Sequence, residues 1–230
     1  MNKTKKIFIC LIIVIEFLIF NNLHGEVAEI ESYESIKPSI IEKYLPWSEN
    51  REKLTREYAE LHYGMSITKI EPQAVVIHWT AGTTWESAYY TFYDENGSDD
   101  DINTVNVSSQ YIVDRDGTIY QLMPENKLAR HTIGYNWCAI GIENVGGVNN
   151  VEDLTPEQLN ANVALIRYLH AKYPAIKYIF GHYQQTVARE TGLYIENVSG
   201  YYSIKSDPGK IFMQELKNYL QNEGFKFFPL

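Results

Sequence analysis

Two histidines and one aspartate carry most of the chemical information in this sequence. His78 follows an apolar run at residues 74–77, and His182 follows a second apolar run at residues 176–180. Asp207 lies 25 positions beyond the second histidine. Two imidazoles and one carboxylate would fill three corners of a tetrahedron around zinc and leave the fourth corner for water. That number of protein ligands is typical of a catalytic zinc site rather than a structural one.

Each of these residues also has a simpler interpretation. A single histidine at a strand end is more often structural than a metal ligand, and neither histidine lies in a His-x-x-x-His pattern. Asp207 precedes Pro208, a position at which a carboxylate often caps a helix. Lys205 could stabilise an oxyanion that forms when water attacks a carbonyl, but on its own it is an ordinary surface lysine.

Glu143 is the other unusual residue, because it interrupts segment 139–146, which otherwise looks buried. A carboxylate in a buried strand costs several kcal/mol unless it is paired or has a chemical task. A zinc enzyme needs a base that takes a proton from water, and a glutamate in such surroundings suits that task. The alternative is a structural ion pair.

The elements that would position these residues alternate between strands and helices. Asp116-Gly117 sits between two alternating segments and predicts a hairpin. Thr155, Pro156 and Gln158 form the capping box of a helix that stops before Pro174. We therefore expect an α/β fold with a central mixed β-sheet flanked by helices. The predicted strands are 73–79, 109–115, 118–123, 138–145 and 176–181, and the predicted helices are 84–93, 155–173 and 208–221.

The region before the first strand has apolar residues at helical spacing over residues 38–63, with Pro46 as an interruption. We predict one or two helices that end at Gly64. His62 and His170 fall on predicted helices among polar neighbours, so both are predicted to be solvated, as is His24. The predicted organisation is a signal peptide or anchor at 1–25, a helical extension at 26–69, a catalytic domain at 70–222 and a tail at 223–230.

The composition indicates a globular protein of one ordinary domain, with 230 residues of which 45% are hydrophobic. A net charge of −9 argues against a nucleic-acid partner. Three lysines precede the apolar run 7–20, a pattern typical of an export signal. We expect an exported monomer in the periplasm, cell envelope or medium, with a membrane contact only if this segment is not cleaved. Cys138 would then be the remaining cysteine, interpreted as a small buried residue rather than a nucleophile or ligand.

Seven short segments together resemble a known family. Each is weak alone, but they occur in the order seen in zinc-dependent N-acetylmuramoyl-L-alanine amidases of the type 2 class, which are related to the peptidoglycan recognition proteins. The resemblance covers roughly residues 70–220. The segments are Val75–Ala81, Tyr111–Gln121, Ala129–His131, Ile140–Glu143, Leu154–Gln158, Gly181–His182 and Lys205–Gly209.

This resemblance implies an enzyme that hydrolyses the amide bond between N-acetylmuramic acid and L-alanine in peptidoglycan or a muropeptide. It implies zinc (Zn2+) as the cofactor, Glu143 as the catalytic acid and base, and Lys205 as the residue that stabilises the transition state. Two alternatives remain, a peptidoglycan-binding protein without catalysis and a zinc peptidase that acts on wall peptides. The implied zinc ligands are His78, His182 and Asp207, and the expected substrate contacts are His131, Trp79, Thr80 and Asn144.

The sequence departs from the family pattern in three places. The link between the second histidine and the aspartate is much longer than usual, and the extra stretch Gln184–Ile204 is predicted to form a lid or a wall of the substrate site. Gln110 stands where many members have histidine, and Tyr183 replaces a frequent arginine. None of these changes removes a proposed ligand.

Overall fold

The computed structural model describes residues 33–97 and 104–229. The chain divides into two compact units, Met1–Lys37 and Pro38–Leu230, and all elements discussed below belong to the second. The predicted export signal and His24 lie outside the described residues. Within the described ranges, no helix combines the length and the apolar character needed to cross a membrane.

A six-stranded mixed sheet forms the centre of the second unit, with the spatial order β1-β4-β3-β5-β2-β6 in the described part of the chain. β3 and β4 pair antiparallel, and the other neighbouring pairs are parallel. The predicted mixed sheet flanked by helices is thus confirmed. The strands are β1 (Ile40–Glu42), β2 (Ala74–Trp79), β3 (Tyr111–Val113), β4 (Ile119–Gln121), β5 (Ala139–Asn144) and β6 (Tyr178–Gly181).

The middle of the sheet consists of parallel strands, with β2 between β5 and β6. All six residues of β2 are buried, as expected for a parallel strand that is covered on both faces. Because these three strands run in the same direction, their carboxyl ends meet at one edge of the sheet. That edge is where open α/β sheets place their ligands.

Within residues 33–97 and 104–229, four α-helices accompany the sheet, and their ends follow from local sequence. The hydroxyl of Ser48 accepts hydrogen bonds from two backbone N–H groups of the first turn of α1, and Gly64 ends that helix with a φ of 69°. The capping box of Thr155 and Gln158 is present at the start of α3. The helices are α1 (Glu49–Tyr63), α2 (Trp85–Tyr93), α3 (Pro156–Lys172) and α4 (Lys210–Leu220).

The extension before β2 contains one predicted helix, α1, which ends at Gly64 as expected, but its first part is not helical. Residues 40–42 form β1, which pairs in parallel with β4. The apolar spacing was misleading here because Ile41 and Tyr44 are each 44% exposed, whereas Leu45 is buried and its N–H donates to the carbonyl of Leu122. The extension therefore joins the main sheet as an edge strand.

The other edge of the sheet is covered by the C-terminal tail. Lys226 forms a parallel bridge with Tyr178 of β6. Its N–H donates to the carbonyl of Lys177 at 2.7 Å, and its carbonyl accepts from the N–H of Ile179 at 3.1 Å. The edge of the sheet at β6 is therefore paired with a short segment of chain.

Two histidines that were predicted to be solvated are not, so that prediction was wrong. His62 is 5% exposed, and its Nδ1 lies 2.8 Å from Oε1 of Glu196, because the stretch after β6 covers this face of α1. His170 packs against the ring of Phe225 and has a buried Nδ1, because the tail folds back over α3. Cys138 is fully buried, as predicted.

Candidate active site

The carboxyl ends of β5, β2 and β6 place three of the singled-out side chains in one row. His78 on β2 is the register partner of Glu143 on β5. Ile77 is the partner of Gly181 on β6, so His182 continues the same row one residue later. Since residues in register point to the same face of a sheet, the sequence segments that end in these residues explain why they meet.

Asp207 comes from the loop before α4 and completes a triangle of ligand atoms. Nδ1 of His78 lies 3.0 Å from Nδ1 of His182, and each of these nitrogens lies 3.1 Å from Oδ2 of Asp207. The backbone supports this placement, because the N–H of Tyr183 donates to the carbonyl of Asp207 at 2.9 Å. All three residues of the triangle are buried.

The charges in the triangle suit a metal. Burial alone would raise the pKa of Asp207, but the adjacent imidazoles of His182 and His78 bring it well below its usual value. Burial, together with the nearby His78, lowers the pKa of His182 to about 4. At neutral pH, Asp207 is therefore an anion and His182 a neutral imidazole, the protonation states that metal ligands require.

The spacing also fits zinc. Tetrahedral ligands at the usual Zn–N and Zn–O bond lengths are roughly 3.3 Å apart, close to the edges of 3.0 and 3.1 Å. One proton could bridge only one edge of this triangle and would leave the third atom without a partner. A cation at its centre would satisfy all three atoms at once.

Glu143 lies beside this triangle with an unused carboxylate oxygen. Its Oε2 is buried and has no hydrogen-bond partner. Burial raises the pKa of Glu143 to about 7, with His78 and Lys205 opposing the rise and Asp207 adding to it. The carboxylate can therefore take up and release a proton near neutral pH, and Lys205 stands exposed at the rim.

The row opens into a cavity of about 410 Å³. A second cavity of about 290 Å³ adjoins it and shares part of its lining, including His131, His182 and Lys205. The first is lined by His78, Trp79, Ala81, Phe92, Val107, Ser108, Arg130, His131, Glu143, Asn150, His182, Ile204, Lys205, Ser206 and Asp207.

The long link Gln184–Ile204, here called the insertion, forms one wall of the second cavity. Tyr201, Tyr202 and Ser203 line it, opposite Tyr58 of α1. The insertion follows β6 as a 3-10 turn at Val187–Thr191 and irregular chain. The insertion thus lines this cavity and is held to α1, and its role as a lid or a wall of the substrate site stays a prediction.

Polar contacts fasten the insertion to the rest of the unit. Glu196 contacts His62, and the N–H of Asn197 donates to the carbonyl of His62 at 2.9 Å. The guanidinium of Arg130 donates to the hydroxyl of Tyr201 at 2.9 Å. These contacts join the N-terminal helix, the middle of the chain and the insertion around the second cavity.

The four expected substrate contacts occupy different positions. Trp79 and His131 line the first cavity. Thr80 is not among the lining residues, and its hydroxyl accepts from the N–H of Gly82. Asn144 is fully buried, donates to the carbonyl of His78 at 3.1 Å and accepts from Asn162 at 2.7 Å, so it supports the row from behind.

Several lining residues were not singled out from the sequence, among them Arg130 and Tyr58. Arg130 lies inside a segment that carried the family resemblance, directly before His131, and its position there was the available signal. Tyr58 lies on α1, outside the resemblance, and nothing in its sequence neighbourhood indicates a site. Gln110, one of the departures, instead serves the fold, because its Oε1 accepts from the N–H of Gly141 at 2.7 Å and its Nε2 donates to the carbonyl of Lys127.

Comparisons with known proteins agree with this fold and site. The family model described as N-acetylmuramoyl-L-alanine amidase matches residues 68–210, a range that includes His78, His182 and Asp207. The chain belongs to this family and is an amidase that acts on peptidoglycan.

Solved structures show the same fold. The endolysin N-acetylmuramoyl-L-alanine amidase LysCS from Clostridium intestinale URNW is 22% identical, with a TM-score of 0.52 over 80% of this chain and 97% of that one. The amidase LysC from the same organism is 23% identical, with a TM-score of 0.51 over 80% of this chain and 99% of that one. A search of curated proteins finds no match.

Proposed function

We propose that this chain hydrolyses the amide bond between N-acetylmuramic acid and L-alanine in a zinc-dependent reaction, with zinc held by His78, His182 and Asp207. The observation that carries the proposal is the triangle of two Nδ1 atoms and one Oδ2 atom with edges of 3.0 and 3.1 Å. When bound there, zinc supplies a Lewis acid that polarises a carbonyl and lowers the pKa of water to about 7.

Glu143 handles the proton in this proposal. Its free Oε2 accepts the proton of the attacking water, and the protonated carboxyl then gives that proton to the departing amine of L-alanine. The pKa of about 7 supports both steps, because the group exchanges its proton readily at neutral pH. The register pairing of Glu143 with His78 keeps the base next to the ligand atoms.

Lys205 and the two cavities serve the rest of the substrate. The ammonium of Lys205 stands at the rim shared by both cavities, where it offsets negative charge that develops on the carbonyl oxygen. The scissile amide carries a sugar on one side and a peptide on the other, so the substrate must extend in two directions. Two adjoining cavities support such a pose, with Trp79 and His131 on the wall of the first.

The test is a digestion of purified peptidoglycan by the zinc-loaded chain, with new termini identified by mass spectrometry. We expect new L-alanine amino termini and intact glycan strands. The control is E143Q, which keeps the shape of the side chain and removes the base, and should release peptide about 10²- to 10⁴-fold more slowly. New termini inside the stem peptide, or binding without any cleavage, would refute the proposed reaction.

We also propose that the chain is exported, on the basis of the basic and apolar residues 1–25. An extracytoplasmic position would bring the site to polymeric wall. Cell fractionation of the full chain beside a variant that lacks residues 2–25 tests this: export of the full chain alone is expected, and equal retention of both in the cytoplasm would contradict it.

A further inference from the structure

We propose that His131 is a positioning residue that fixes which nitrogen of His78 carries a proton, rather than a substrate contact. This inference rests on the proposed zinc site, because its consequence is to keep Nδ1 of His78 free for the metal. A series of hydrogen bonds runs from a backbone carbonyl through His131 to the ligand triangle.

This series of hydrogen bonds begins at the backbone carbonyl of Ala139. Nε2 of His131 lies 3.2 Å from the carbonyl oxygen of Ala139. A carbonyl oxygen can only accept a hydrogen bond, so Nε2 of His131 must carry the proton. In an imidazole with one proton, the other nitrogen is then an acceptor, and Nδ1 of His131 presents a lone pair.

The next contact joins the two histidines. Nδ1 of His131 lies 3.1 Å from Nε2 of His78. The ring planes are perpendicular and the ring centroids are 5.2 Å apart, so the rings meet through these nitrogens and not through their faces. Because Nδ1 of His131 accepts, Nε2 of His78 donates, and a neutral His78 then has its lone pair on Nδ1 inside the triangle.

The opposite tautomer of His78 would work against metal binding. A proton on Nδ1 would point at Oδ2 of Asp207, 3.1 Å away, and would occupy the space in which the three ligand atoms face each other. The hydroxyl oxygen of Thr132 lies 3.3 Å from Nε2 of His78 and 3.0 Å from Nδ1 of His131, so it offers the N–H of His78 a second acceptor. An acceptor beside Nε2 of His78 therefore favours the form that binds a metal.

The surroundings of His131 hold its ring in this orientation. Oδ1 of Asn136 accepts from the backbone N–H of His131 at 2.9 Å and from that of Thr132 at 2.7 Å. A Cβ added to Gly141 would lie 2.8 Å from Cγ of His131, so the ring rests on this glycine. Gly141 precedes Glu143 by two residues on the same face of β5, which gives the segment Ile140–Glu143 a structural reason for its glycine.

Zinc affinity, measured by competition with a chelator, is the main test. H131F keeps a ring but has no acceptor, and should weaken zinc binding about 10- to 100-fold, as other losses of a group that orients a ligand do. H131N places an amide oxygen near the position of Nδ1 and should recover most of the affinity. If H131N loses as much as H131F, or if H131F binds zinc like the wild type and only its KM rises, the proposal is wrong.

Two further measurements do not depend on these variants. In the metal-free wild type at pH 8, nitrogen NMR of the imidazoles should find the proton of His78 on Nε2; a proton on Nδ1 would overturn the proposal. G141A should weaken zinc binding by displacing the ring, whereas G82A, whose Cβ would meet only ordinary contacts, should not. A wild type that binds no zinc refutes the proposed function, whereas the NMR result tests the positioning of His78 separately.

Discussion

The row of strand-end residues and the insertion lie side by side but are built in opposite ways. His78 and Glu143 sit in strands that are paired on both sides and buried, so the backbone fixes their positions. The insertion is mostly irregular, and a few polar contacts hold it to α1 and to Arg130. The proposed reacting groups therefore lie on rigid elements, while the proposed substrate wall lies on chain that can vary.

Asp207 belongs to the first of these regions although it follows the second in sequence. Its carbonyl accepts from Tyr183, directly after His182. On the other side, Ser206 donates to Oδ1 of Asn150, and the N–H of Ile211 donates to Glu152. The length of the link therefore does not loosen the ligand, because Ser206 before Asp207 and Ile211 after it are held by contacts outside the insertion.

Removal of a ligand should give the largest effect. D207A should lower zinc affinity by more than about 100-fold, beyond the loss typical of groups that only orient a ligand, and should abolish amidase activity. Metal analysis after dialysis and the peptidoglycan assay measure the two results. A variant that keeps one bound zinc with full activity would show that Asp207 is not part of the rigid region.

Removal of the proposed base should give the next largest effect. E143Q should lower kcat by about 10²- to 10⁴-fold and leave zinc affinity nearly unchanged, because Glu143 is not a ligand. E157Q makes the same change of charge at an exposed site on α3 and should retain full kcat. Equal kcat values for the two variants would exclude Glu143 as the base.

The raised pKa of Glu143 predicts a pH effect on the stability of the metal-free protein. A folded pKa of about 7 above the ordinary 4.5 means that the folded state binds this proton more tightly, so the stabilisation is present at low pH and is lost as the pH rises from 4.5 to 7. Between pH 5 and pH 8 the free energy of unfolding of the wild type should fall by about 2 kcal/mol relative to E143Q.

Urea denaturation of both metal-free proteins at the two pH values measures this difference. The low pKa of His182 gives an effect of the opposite sign in part of the same range, and the subtraction of E143Q removes that contribution. Parallel pH profiles for wild type and variant would contradict the burial argument for Glu143.

A smaller effect is expected from the loss of the contact between Glu196 and His62, which holds the insertion to α1. E196A removes the partner of His62 and should lower the free energy of unfolding by about 1–3 kcal/mol, the cost of a buried polar group left without its partner. KM should rise, while zinc affinity should stay the same. E190A, at an exposed position of the insertion, is the control, and a loss of zinc in E196A would mean that the two regions are not independent.

The smallest effect is expected at the wall itself. Tyr202 is 71% exposed, so Y202A should change stability by less than about 0.5 kcal/mol. The loss of a stacking surface should raise KM by about 2- to 10-fold with kcat unchanged. Y219A, which removes a 54% exposed tyrosine on α4, should alter neither constant. An unchanged KM in Y202A would remove this residue from the wall.

The strand-end row could be predicted from the sequence because its information is local. Apolar runs followed by His78 and His182 predict buried strands with a polar end, and parallel strands bring such ends together. The position of Asp207 needed the family resemblance, since a carboxylate before Pro208 is equally compatible with a helix cap.

The features that the sequence did not predict depend on contacts between distant parts of the chain. Residues 40–42 form an edge strand because β4 offers free hydrogen-bonding groups, which the helical spacing of the extension does not reveal. His62 is buried because the insertion folds over it, and Tyr58 lines a cavity for the same reason. The role of Asn144 behind the row likewise depends on Asn162, a residue in another element.

The C-terminal tail has a consequence for the solubility of the protein. Lys226 occupies the outer side of β6, where an uncovered strand would offer its amide and carbonyl groups to another molecule. A shortened chain that stops at residue 222 would keep every group of the reaction site and still expose a template for self-association. The last few residues thus cover the β6 edge of the sheet, which is opposite β1, and disfavour aggregation there.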